Sequence, residues 1–437
     1  MTTEQLYQIF LQHPQISTDT RKIAPGSIFF ALKGANFDAN TFAEKALESG
    51  AAFAVIDDAA YFKSDRFILV DDVLAALQDL ARYHRKQLTI PVIGLTGSNG
   101  KTTTKELINS VLSQQFKTYA TKGNLNNHIG VPLTLLSISR ETEIAIIEMG
   151  ANHQQEIAFL CGLAQPTHGL ITNIGRAHLE GFGGPEGVKA GKGELFDCLE
   201  QTEGTVFVNH DDLVLEEMAF HRHFQKTFYY GKEGHCLVSG EILENVPLLK
   251  IQWWLNNGLA STQKQELQTQ LTGSYNLNNL LASICIGHYF GLSIEQINAG
   301  ITGYQPENNR SQIFQTKTNT LICDYYNANP SSMEVAILNL DAIAADKKVL
   351  ILGDMFELGN HSSAEHKLII KKANEMAATQ RIFIGQGFYQ HHASFTGTFF
   401  ETTDAAFMAL KTAPVTNATV LVKGSRGMHL ESLLELL

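Results

Sequence analysis

The sequence has no excess of basic residues, no long apolar run and no low-complexity segment. Its formal net charge over 437 residues is −11, which argues against a general nucleic-acid-binding protein, because such proteins usually carry more lysine and arginine. No apolar stretch is long enough to span a bilayer. We therefore expect no nucleic-acid partner and no membrane insertion, and any anionic substrate needs local basic groups.

Cysteine is also scarce, and a signal peptide is lacking. The five cysteines are odd in number and scattered, without the close spacing of a zinc or redox pair, so reduced thiols are expected. Residues 1–6 have neither the basic start nor the apolar core of a signal peptide. The sequence thus predicts a cytoplasmic protein, and we expect a monomer.

The most informative stretch present is residues 91–104, which predicts a strand, a glycine-rich loop and a helix. Glycines let backbone N–H groups approach a phosphate, Lys101 supplies a cation, and Thr102 offers a hydroxyl to Mg²⁺. The loop is a shorter variant of the usual phosphate loop, because Leu95 stands six positions before Lys101. A β-to-α turn with an incidental lysine is the alternative. The context favours a nucleoside triphosphate bound by Gly97, Ser98, Asn99, Gly100, Lys101, Thr102 and Thr103.

The alternation of strand and helix patterns predicts an α/β protein of three domains. Residues 1–85 form a small N-terminal α/β domain with two amphipathic helices. Residues 86–303 form a central phosphate-loop domain with a mostly parallel sheet and a β-rich insertion at 234–271. Residues 304–437 form a C-terminal doubly wound, Rossmann-like sheet.

Polar residues follow the predicted strands of the central domain. Glu148 ends one strand, and Asn173 and His178 follow the next. Each alone is more often a helix cap or a solvated side chain. Because the carboxyl ends of parallel strands share one edge, together they predict a ligand site, with Glu148 placed to hold Mg²⁺ opposite Thr102.

Further polar loops are expected at the same edge. The amide-rich stretch 121–132 contains Asn126 and Asn127, and it reads as a loop that contacts substrate. In the third domain, clusters at 324–330, 353–359 and 423–427 follow three strands. These clusters would face the phosphate loop if the two domains close on a shared cleft.

Several of these motifs together resemble the Mur ligases, the ATP-dependent amide-forming ligases of peptidoglycan precursor synthesis. The resemblance runs across the chain and rests on residues 96–103, 148–150, 173–180, 209–212 and 324–330. Residues 326–330 and 353–359 look like the member that adds D-alanyl-D-alanine to a UDP-N-acetylmuramoyl tripeptide. Three alternative functions are considered: the related ligase that adds the third residue, a folylpolyglutamate-type synthetase and a non-catalytic nucleotide-binding regulator.

The resemblance implies ATP and Mg²⁺ as cofactors and assigns roles by position. It gives the phosphates and metal to Lys101, Thr102, Glu148 and His178, and it places Lys192 where the family carries a carbamylated lysine. It assigns the nucleotide to Asn276, Asn279, Arg310, Asp324 and Asn327. The substrates are expected at Thr20, Arg21, Lys33, Gly34, Asn126, Asn127, Tyr326, Asn329 and Ser425.

Overall fold

The structure is a computed structural model that describes residues 1–232, 235–245, 248–256, 263–306, 310 and 312–437. Within these residues, no helix is both long and apolar enough to cross a membrane. All five cysteines are free, as expected, and all but the half-buried Cys198 are buried.

The N-terminal part is built on a four-stranded parallel sheet of order β1-β2-β5-β6. Three helices accompany it where the sequence suggested two. α2 is the shortest, with six residues. The elements are α1 (Thr3–Gln12), β1 (Ile16–Ser17), β2 (Ile28–Phe30), the hairpin β3 (Lys33–Gly34) and β4 (Phe37–Asp38), α2 (Ala43–Glu48), β5 (Phe53–Ile56), β6 (Phe67–Leu69) and α3 (Val73–Gln87).

The middle part is built on a nine-stranded sheet of order β15-β14-β13-β12-β11-β10-β7-β9-β8. Its strands are β7 (Val92–Thr96), β8 (Thr118–Ala120), β9 (Ile144–Glu148), β10 (His168–Ile171), β11 (Thr205–Asn209), β12 (Lys226–Gly231), β13 (Val238–Glu244), β14 (Lys250–Leu255) and β15 (Gln265–Gln268). Strands β7 to β13 pair in parallel, whereas β14 is antiparallel to both β13 and β15. The mostly parallel sheet and its β-rich insertion are thus confirmed, with residues 234, 246–247 and 257–262 of the insertion outside the described residues.

Helices cover both faces of this sheet. They are α4 (Lys101–Leu112), α5 (Gly130–Leu136), α6 (Glu156–Ala164), α7 (Leu179–Phe182), α8 (Pro185–Gln201), α9 (Leu213–Phe220), α10 (Asn276–Tyr289) and α11 (Ile294–Gly303). The predicted loop 121–132 is wrong at its end, because the buried α5 begins at Gly130. One apolar core lies under α4, α10 and α11, and another joins α6 and α8 to α3. The N-terminal part is therefore packed against the middle sheet through α3.

The C-terminal part is a six-stranded sheet of order β16-β17-β21-β18-β19-β20 with a core on each face. Only β16 is antiparallel to its neighbour among the described strands, so the doubly wound prediction is confirmed. The elements are β16 (Gln312–Gln315), β17 (Thr320–Asp324), α12 (Pro330–Ala342), β18 (Lys348–Gly353), α13 (Ser362–Glu375), β19 (Gln380–Ile384), α14 (Gln386–Tyr389), β20 (Thr398–Phe400), α15 (Thr403–Thr412) and β21 (Thr419–Lys423).

A half-buried histidine at the start of β10 makes the middle sheet sensitive to acid. The His168 ring packs among Phe207, Tyr289 and Phe290, with Nδ1 2.8 Å from Thr167 Oγ1 and Nε2 3.0 Å from the Tyr289 hydroxyl. Burial lowers the pKa of His168 to about 4, from about 6.5 in an unfolded chain. The unfolded state therefore binds the proton more tightly, and stability is full above pH 6.5 and falls as the pH drops toward 4.

We expect this histidine alone to remove at most about 2 kcal/mol of the free energy of unfolding between pH 7 and pH 5. Both tryptophans, Trp253 and Trp254, lie in β14 of the same sheet, so fluorescence during urea unfolding reports on it. His168→Gln should lose less stability than the wild type over this interval. Equal losses in the two proteins would show that His168 does not link folding to protonation.

Candidate functional site

The phosphate loop between β7 and α4 has two glycines that no other residue replaces without strain. Gly97 has φ +144°, and a Cβ there would lie 2.0 Å from Thr172 Oγ1. Gly100 has φ +78°, and its Cβ would lie 2.8 Å from Asn279 Oδ1. L-residues rarely adopt these conformations, so the loop requires glycine for both backbone shape and close packing.

The loop is braced by the segment that follows β10. Asn173 accepts hydrogen bonds from the backbone N–H of Ser98 at its carbonyl and from that of Asn99 at its side chain, both at 3.0 Å. The Gly175 N–H in turn donates to Ser98 Oγ at 2.9 Å. The two neighbouring strand ends thus hold the loop in one shape, as their shared edge predicts.

Lys101 begins α4 and lies at the centre of the loop. Its Nζ donates to the Gly97 carbonyl at 2.7 Å and to the Ser98 carbonyl at 3.4 Å. Burial, together with the nearby charge of Arg310, lowers the pKa of Lys101 to about 8, although Glu148 opposes the shift. An anion bound between the two cations would relieve their repulsion.

Glu148 ends β9 and is almost fully buried beside α4. Its Oε1 accepts hydrogen bonds from Asn126 Nδ2 at 2.8 Å and from Thr102 Oγ1 at 3.2 Å. Within the described part of the chain its Oε2 has no hydrogen-bond partner, although Lys105 Nζ lies 3.6 Å away. The carboxylate is held in place with one oxygen left for a further ligand.

This donor set fits Mg²⁺. The described residues contain no group of three or more histidine, cysteine, aspartate or glutamate side chains arranged to hold a metal ion by themselves. Mg²⁺ does not need one, since it binds through one or two carboxylates together with water and substrate phosphates. The hydroxyl of Thr102 and the free oxygen of Glu148 supply that kind of partial site.

Lys192 lies in the middle of α8 and is 1% exposed. Its Nζ donates to the Ala151 carbonyl at 3.0 Å and lies 4.8 Å from the centre of the Phe182 ring. Burial holds the pKa of Lys192 well below its ordinary value, and the charge of Lys101 adds to the effect. The environment therefore favours an uncharged amine, unlike a lysine on a solvated helix face.

The C-terminal part contacts the phosphate loop directly. Asn329, the N-cap of α12, donates through Nδ2 to Asn99 Oδ1 at 2.8 Å, and Asn99 Nδ2 lies 3.3 Å from Ser331 Oγ. Ser331 Oγ also accepts from the Arg176 backbone N–H at 3.1 Å. The cluster expected at 324–330 thus meets the loop, which joins the middle and C-terminal parts at one edge.

Aromatic and charged groups of the C-terminal part complete this side. The guanidinium of Arg310 lies 4.1 Å from the Tyr326 ring centre, and that of Arg426 lies 5.3 Å from it. Arg310 Nε is buried and has no hydrogen-bond partner among the described residues. At the sheet edge, Lys423 Nζ donates to Asp324 Oδ2 at 2.6 Å. Arg310 therefore stacks on Tyr326, and its Nε–H remains available to an anion.

A cavity of about 890 Å³ opens between the middle and C-terminal parts, and most of the residues singled out from the sequence line it. They are Ser98, Asn99, Gly100, Lys101, Thr102, Thr103, Asn126, Asn127, Glu148, His178, Asn276, Asn279, Arg310, Asp324, Tyr326, Asn327 and Asn329. Gly97, Lys192 and Ser425 do not belong to this lining. Ser425 is buried, and its Oγ accepts from the Phe356 N–H at 3.0 Å.

The two asparagines of α10 form a chain behind the phosphate loop. Thr104 Oγ1 donates to Asn279 Oδ1 at 3.0 Å, Asn279 Nδ2 donates to Asn276 Oδ1 at 2.8 Å, and Asn276 Nδ2 donates to the Thr272 carbonyl at 2.8 Å. Their polar groups are therefore mostly satisfied within the protein. Both side chains still reach the cavity wall.

The residues assigned to the UDP end lie in the N-terminal part and not in this cavity lining. Arg21 forms an ion pair with Asp19 at 2.8 Å, and Lys33, on the β3–β4 hairpin, forms one with Asp57 at 2.8 Å. Asp57 also accepts from Asn40 Nδ2 at 2.7 Å. The structure therefore brings together the nucleotide residues but leaves Thr20, Arg21, Lys33 and Gly34 as a separate polar surface.

One cavity residue, Ser331 in the first turn of α12, was missed from the sequence. Lys423 lies in the cluster 423–427 that was expected at this edge, but it was given no role of its own. It is almost fully buried at the end of β21, and it lines the cavity. No local sequence pattern points to Ser331, because it is placed by its contact with Asn99 of the phosphate loop. The hydrogen bond between Asn329 and Asn99 likewise joins residues about 230 positions apart in the sequence.

The fold and the cavity define a nucleotide-binding enzyme in which a phosphate-loop domain and a Rossmann-like domain share one cleft. The family of the Mur ligase middle domain matches residues 95–287, that of the Mur ligase glutamate ligase domain matches 309–426, and the Mur ligase catalytic domain family matches 14–85. The chain belongs to the Mur ligase family.

Full-length relatives agree with this assignment. The UDP-N-acetylmuramoyl-tripeptide–D-alanyl-D-alanine ligase of Bacillus subtilis is 34% identical over 434 residues, covering 96% of this chain and 92% of the relative. A crystal structure of MurF from Acinetobacter baumannii is 30% identical with a TM-score of 0.84, covering 99% of this chain and 98% of the other. MurF from Thermotoga maritima, solved in complex with ADP, is 25% identical with a TM-score of 0.84, covering 97% and 96%.

Proposed function

We propose that this protein is an ATP-dependent ligase that joins D-alanyl-D-alanine to UDP-N-acetylmuramoyl-tripeptide in peptidoglycan precursor synthesis. One observation carries the proposal: a phosphate loop and the α12 start of a second domain line the same cavity, with Lys101 and Arg310 as its cations. Full-length relatives named for this reaction support the choice over the ligase that adds the third residue and over a folylpolyglutamate-type synthetase. ATP is the nucleotide, consistent with the ADP complex of the Thermotoga relative.

The chemistry explains why the cavity is built this way. A carboxylate does not react with an amine, so the terminal phosphate of ATP must first be transferred to it, which brings two anions together. Lys101 and Arg310 offset that repulsion and the charge that spreads over the transferring group. The amine of D-alanyl-D-alanine then attacks the acyl phosphate, and phosphate leaves.

We assign the metal site to Thr102, Glu148 and His178. Bound Mg²⁺ would neutralise phosphate charge during transfer. The support is the free oxygen of buried Glu148, the Thr102 hydroxyl beside it, and His178 in the wall of the same cavity. Asn126 holds the Glu148 carboxylate in place by a hydrogen bond, and the charge of Lys105 partly neutralises it.

We assign a carbamate to Lys192, with its carboxylate turned toward the metal side. A neutral amine adds to CO₂, forming an N–C bond and releasing one proton, which leaves an anion on the side chain. The burial of Lys192, the low pKa of its amine and the positive charge of Lys101 nearby all favour that anion over an ammonium.

The remaining assignments follow the domains, for which we propose the boundaries 1–85, 86–303 and 304–437. The nucleotide is assigned to residues 97–103 with Asn276, Asn279, Arg310, Asp324 and Asn327, which share the cavity apart from Gly97. The UDP end is assigned to Thr20, Arg21, Lys33 and Gly34, and the peptides to Asn126, Asn127, Tyr326, Asn329 and Ser425. Ser425 contributes indirectly, because its Oγ accepts a hydrogen bond from Phe356 and so supports the 353–359 loop. We place the protein in the cytoplasm as a monomer.

The proposal predicts that ATP hydrolysis depends on both acceptors. Phosphate release should be appreciable only when Mg²⁺, UDP-N-acetylmuramoyl-tripeptide and D-alanyl-D-alanine are all present, because phosphate leaves productively after the acyl phosphate has formed and been attacked. Free phosphate is measured continuously while each component is omitted in turn. Equal release without either acceptor would contradict the proposal, and no release under any condition would favour a non-catalytic nucleotide-binding regulator.

A further inference from the structure

Two residues with unusual backbone conformations meet across the boundary between the middle and C-terminal parts. His178 precedes α7 with φ +53°, and Glu357 lies in the loop after β18 with φ +61°. His178 Nδ1 lies within ion-pair distance of Glu357 Oε2, although it makes no hydrogen bond of regular geometry among the described residues. Left-handed conformations of non-glycine residues cost energy and persist where the surroundings require them, often at functional sites. Here the two residues form one contact.

The loop that carries Glu357 is anchored by two residues that come before it. Asp354 accepts hydrogen bonds from the backbone N–H groups of Gly387 at 2.8 Å and Phe388 at 3.0 Å. Ser425 Oγ accepts from the Phe356 N–H at 3.0 Å. The backbone leading to Glu357 is therefore held by the C-terminal sheet, and the half-exposed Glu357 side chain reaches from it to His178.

The C-terminal part also contacts the segment that carries His178 at a second point. Arg176 forms ion pairs with Glu365 at 3.1 Å and with Glu334 at 3.3 Å. These two glutamates lie on α13 and α12, whereas Glu357 lies between β18 and α13. Three carboxylates of the C-terminal part thus approach one short segment of the middle part, but only Glu357 contacts the imidazole among the described residues.

We propose that Glu357 is a positioning residue that orients His178 for the metal ion when the two domains are together. The inference rests on the metal role that we assign to His178. A carboxylate beside Nδ1 attracts that edge of the ring by its charge, so the imidazole is turned with Nε2 away from the carboxylate and available as a metal ligand. Because His178 and Glu357 belong to different domains, the histidine is fully oriented only in the closed arrangement, which couples metal affinity to closure.

A simpler explanation is that the contact only docks the two domains. Glu334 provides the matched control, because it is also a C-terminal glutamate paired across the boundary but contacts Arg176 and not His178. If docking alone matters, removing either charge should have the same effect on metal binding. If the orientation of His178 matters, only the Glu357 variant should change metal binding.

The test is a titration of Mn²⁺ as a probe for the Mg²⁺ site, with the free ion followed by electron paramagnetic resonance. The full chain is saturated with a non-hydrolysable ATP analogue and UDP-N-acetylmuramoyl-tripeptide. Glu357→Gln, which keeps the side-chain shape, should weaken Mn²⁺ binding about 10- to 100-fold, as loss of such supporting carboxylates usually does. Glu334→Gln should change it by no more than about twofold, since exposed ion pairs contribute little.

The variant His178→Ala tests the metal role of His178 separately from the positioning role of Glu357. If His178→Ala weakens Mn²⁺ binding and removes the nitrogen coupling to Mn²⁺ in pulsed spectra, while Glu357→Gln binds normally, the positioning role of Glu357 is overturned. If His178→Ala itself binds Mn²⁺ normally, the assignment of His178 to the metal fails, and the positioning role fails with it. Thermal unfolding of each variant shows whether it is folded, and Glu357→Asp provides a charged second variant if Glu357→Gln is not.

Discussion

Lys101→Ala is expected to lower kcat by about 100-fold or more, because it removes a preorganised cation from the reacting phosphates. In the structure the ammonium is tethered to the loop carbonyls at 2.7 Å and 3.4 Å, so it already lies within the loop before any ligand enters. The burial that lowers its pKa also makes its charge stronger toward an anion than it would be in water. The effect should therefore fall on kcat and not only on KM.

The measurement is steady-state phosphate release by the variant at saturating concentrations of ATP and both acceptors. Lys117→Ala is the control, because Lys117 is an exposed lysine that pairs with Glu141 at 3.1 Å and lies outside the set of residues lining the cavity. It should leave turnover close to that of the wild type. Near-normal turnover in Lys101→Ala would show that the loop is a structural turn.

Much of the middle domain follows from local pattern alone. Apolar, β-branched runs that end in polar residues predicted β7, β9 and β10, and the shared edge of parallel strands then brought Lys101, Glu148 and Asn173 together. That argument needs no knowledge of distant contacts. It is the reason why the phosphate-loop side of the cavity lining could be predicted from local pattern, whereas Asn276, Asn279 and Arg310 were named from the resemblance.

The C-terminal side of the cavity was harder to predict because it depends on docking between domains. Glu357 contacts His178 and Ser331 contacts Asn99, and both partners belong to the middle part, far away in the sequence. The periodicity of apolar residues does not predict contacts of this kind. The residues that the resemblance assigns to the UDP end show the reverse problem. They were named from resemblance, yet among the described residues Arg21 pairs with its neighbour Asp19 and Lys33 pairs with Asp57.

Burial of Lys192 is another feature that the sequence could not give. Helix α8 also carries Lys189, three residues earlier, which forms an ion pair with Glu217 at 2.9 Å on the exposed side. Both lysines look alike in sequence, and most lysines on helices are solvated. Only the packing of Phe182 and the carbonyl of Ala151 distinguishes them.

Lys192→Ala is accordingly expected to lose most of its activity, about 100-fold, while keeping its fold and part of its ATP affinity. The physical reason is the loss of the negative charge that the proposed carbamate would place beside the proposed metal site. Short-chain carboxylates added to the buffer should restore part of the rate by entering the space that the side chain leaves. Activity is measured as phosphate release, with nucleotide affinity measured separately by calorimetry.

Lys189→Ala is the matched control for this prediction, since it removes an exposed lysine from the same helix and breaks only the ion pair with Glu217. It should retain normal turnover and show no response to added carboxylates. Native mass spectrometry of the wild type at neutral pH should detect one added CO₂ that is absent from Lys192→Ala. An unmodified amine in fully active enzyme would refute the carbamate, and the buried Lys192 would then act through its hydrogen bond to the Ala151 carbonyl.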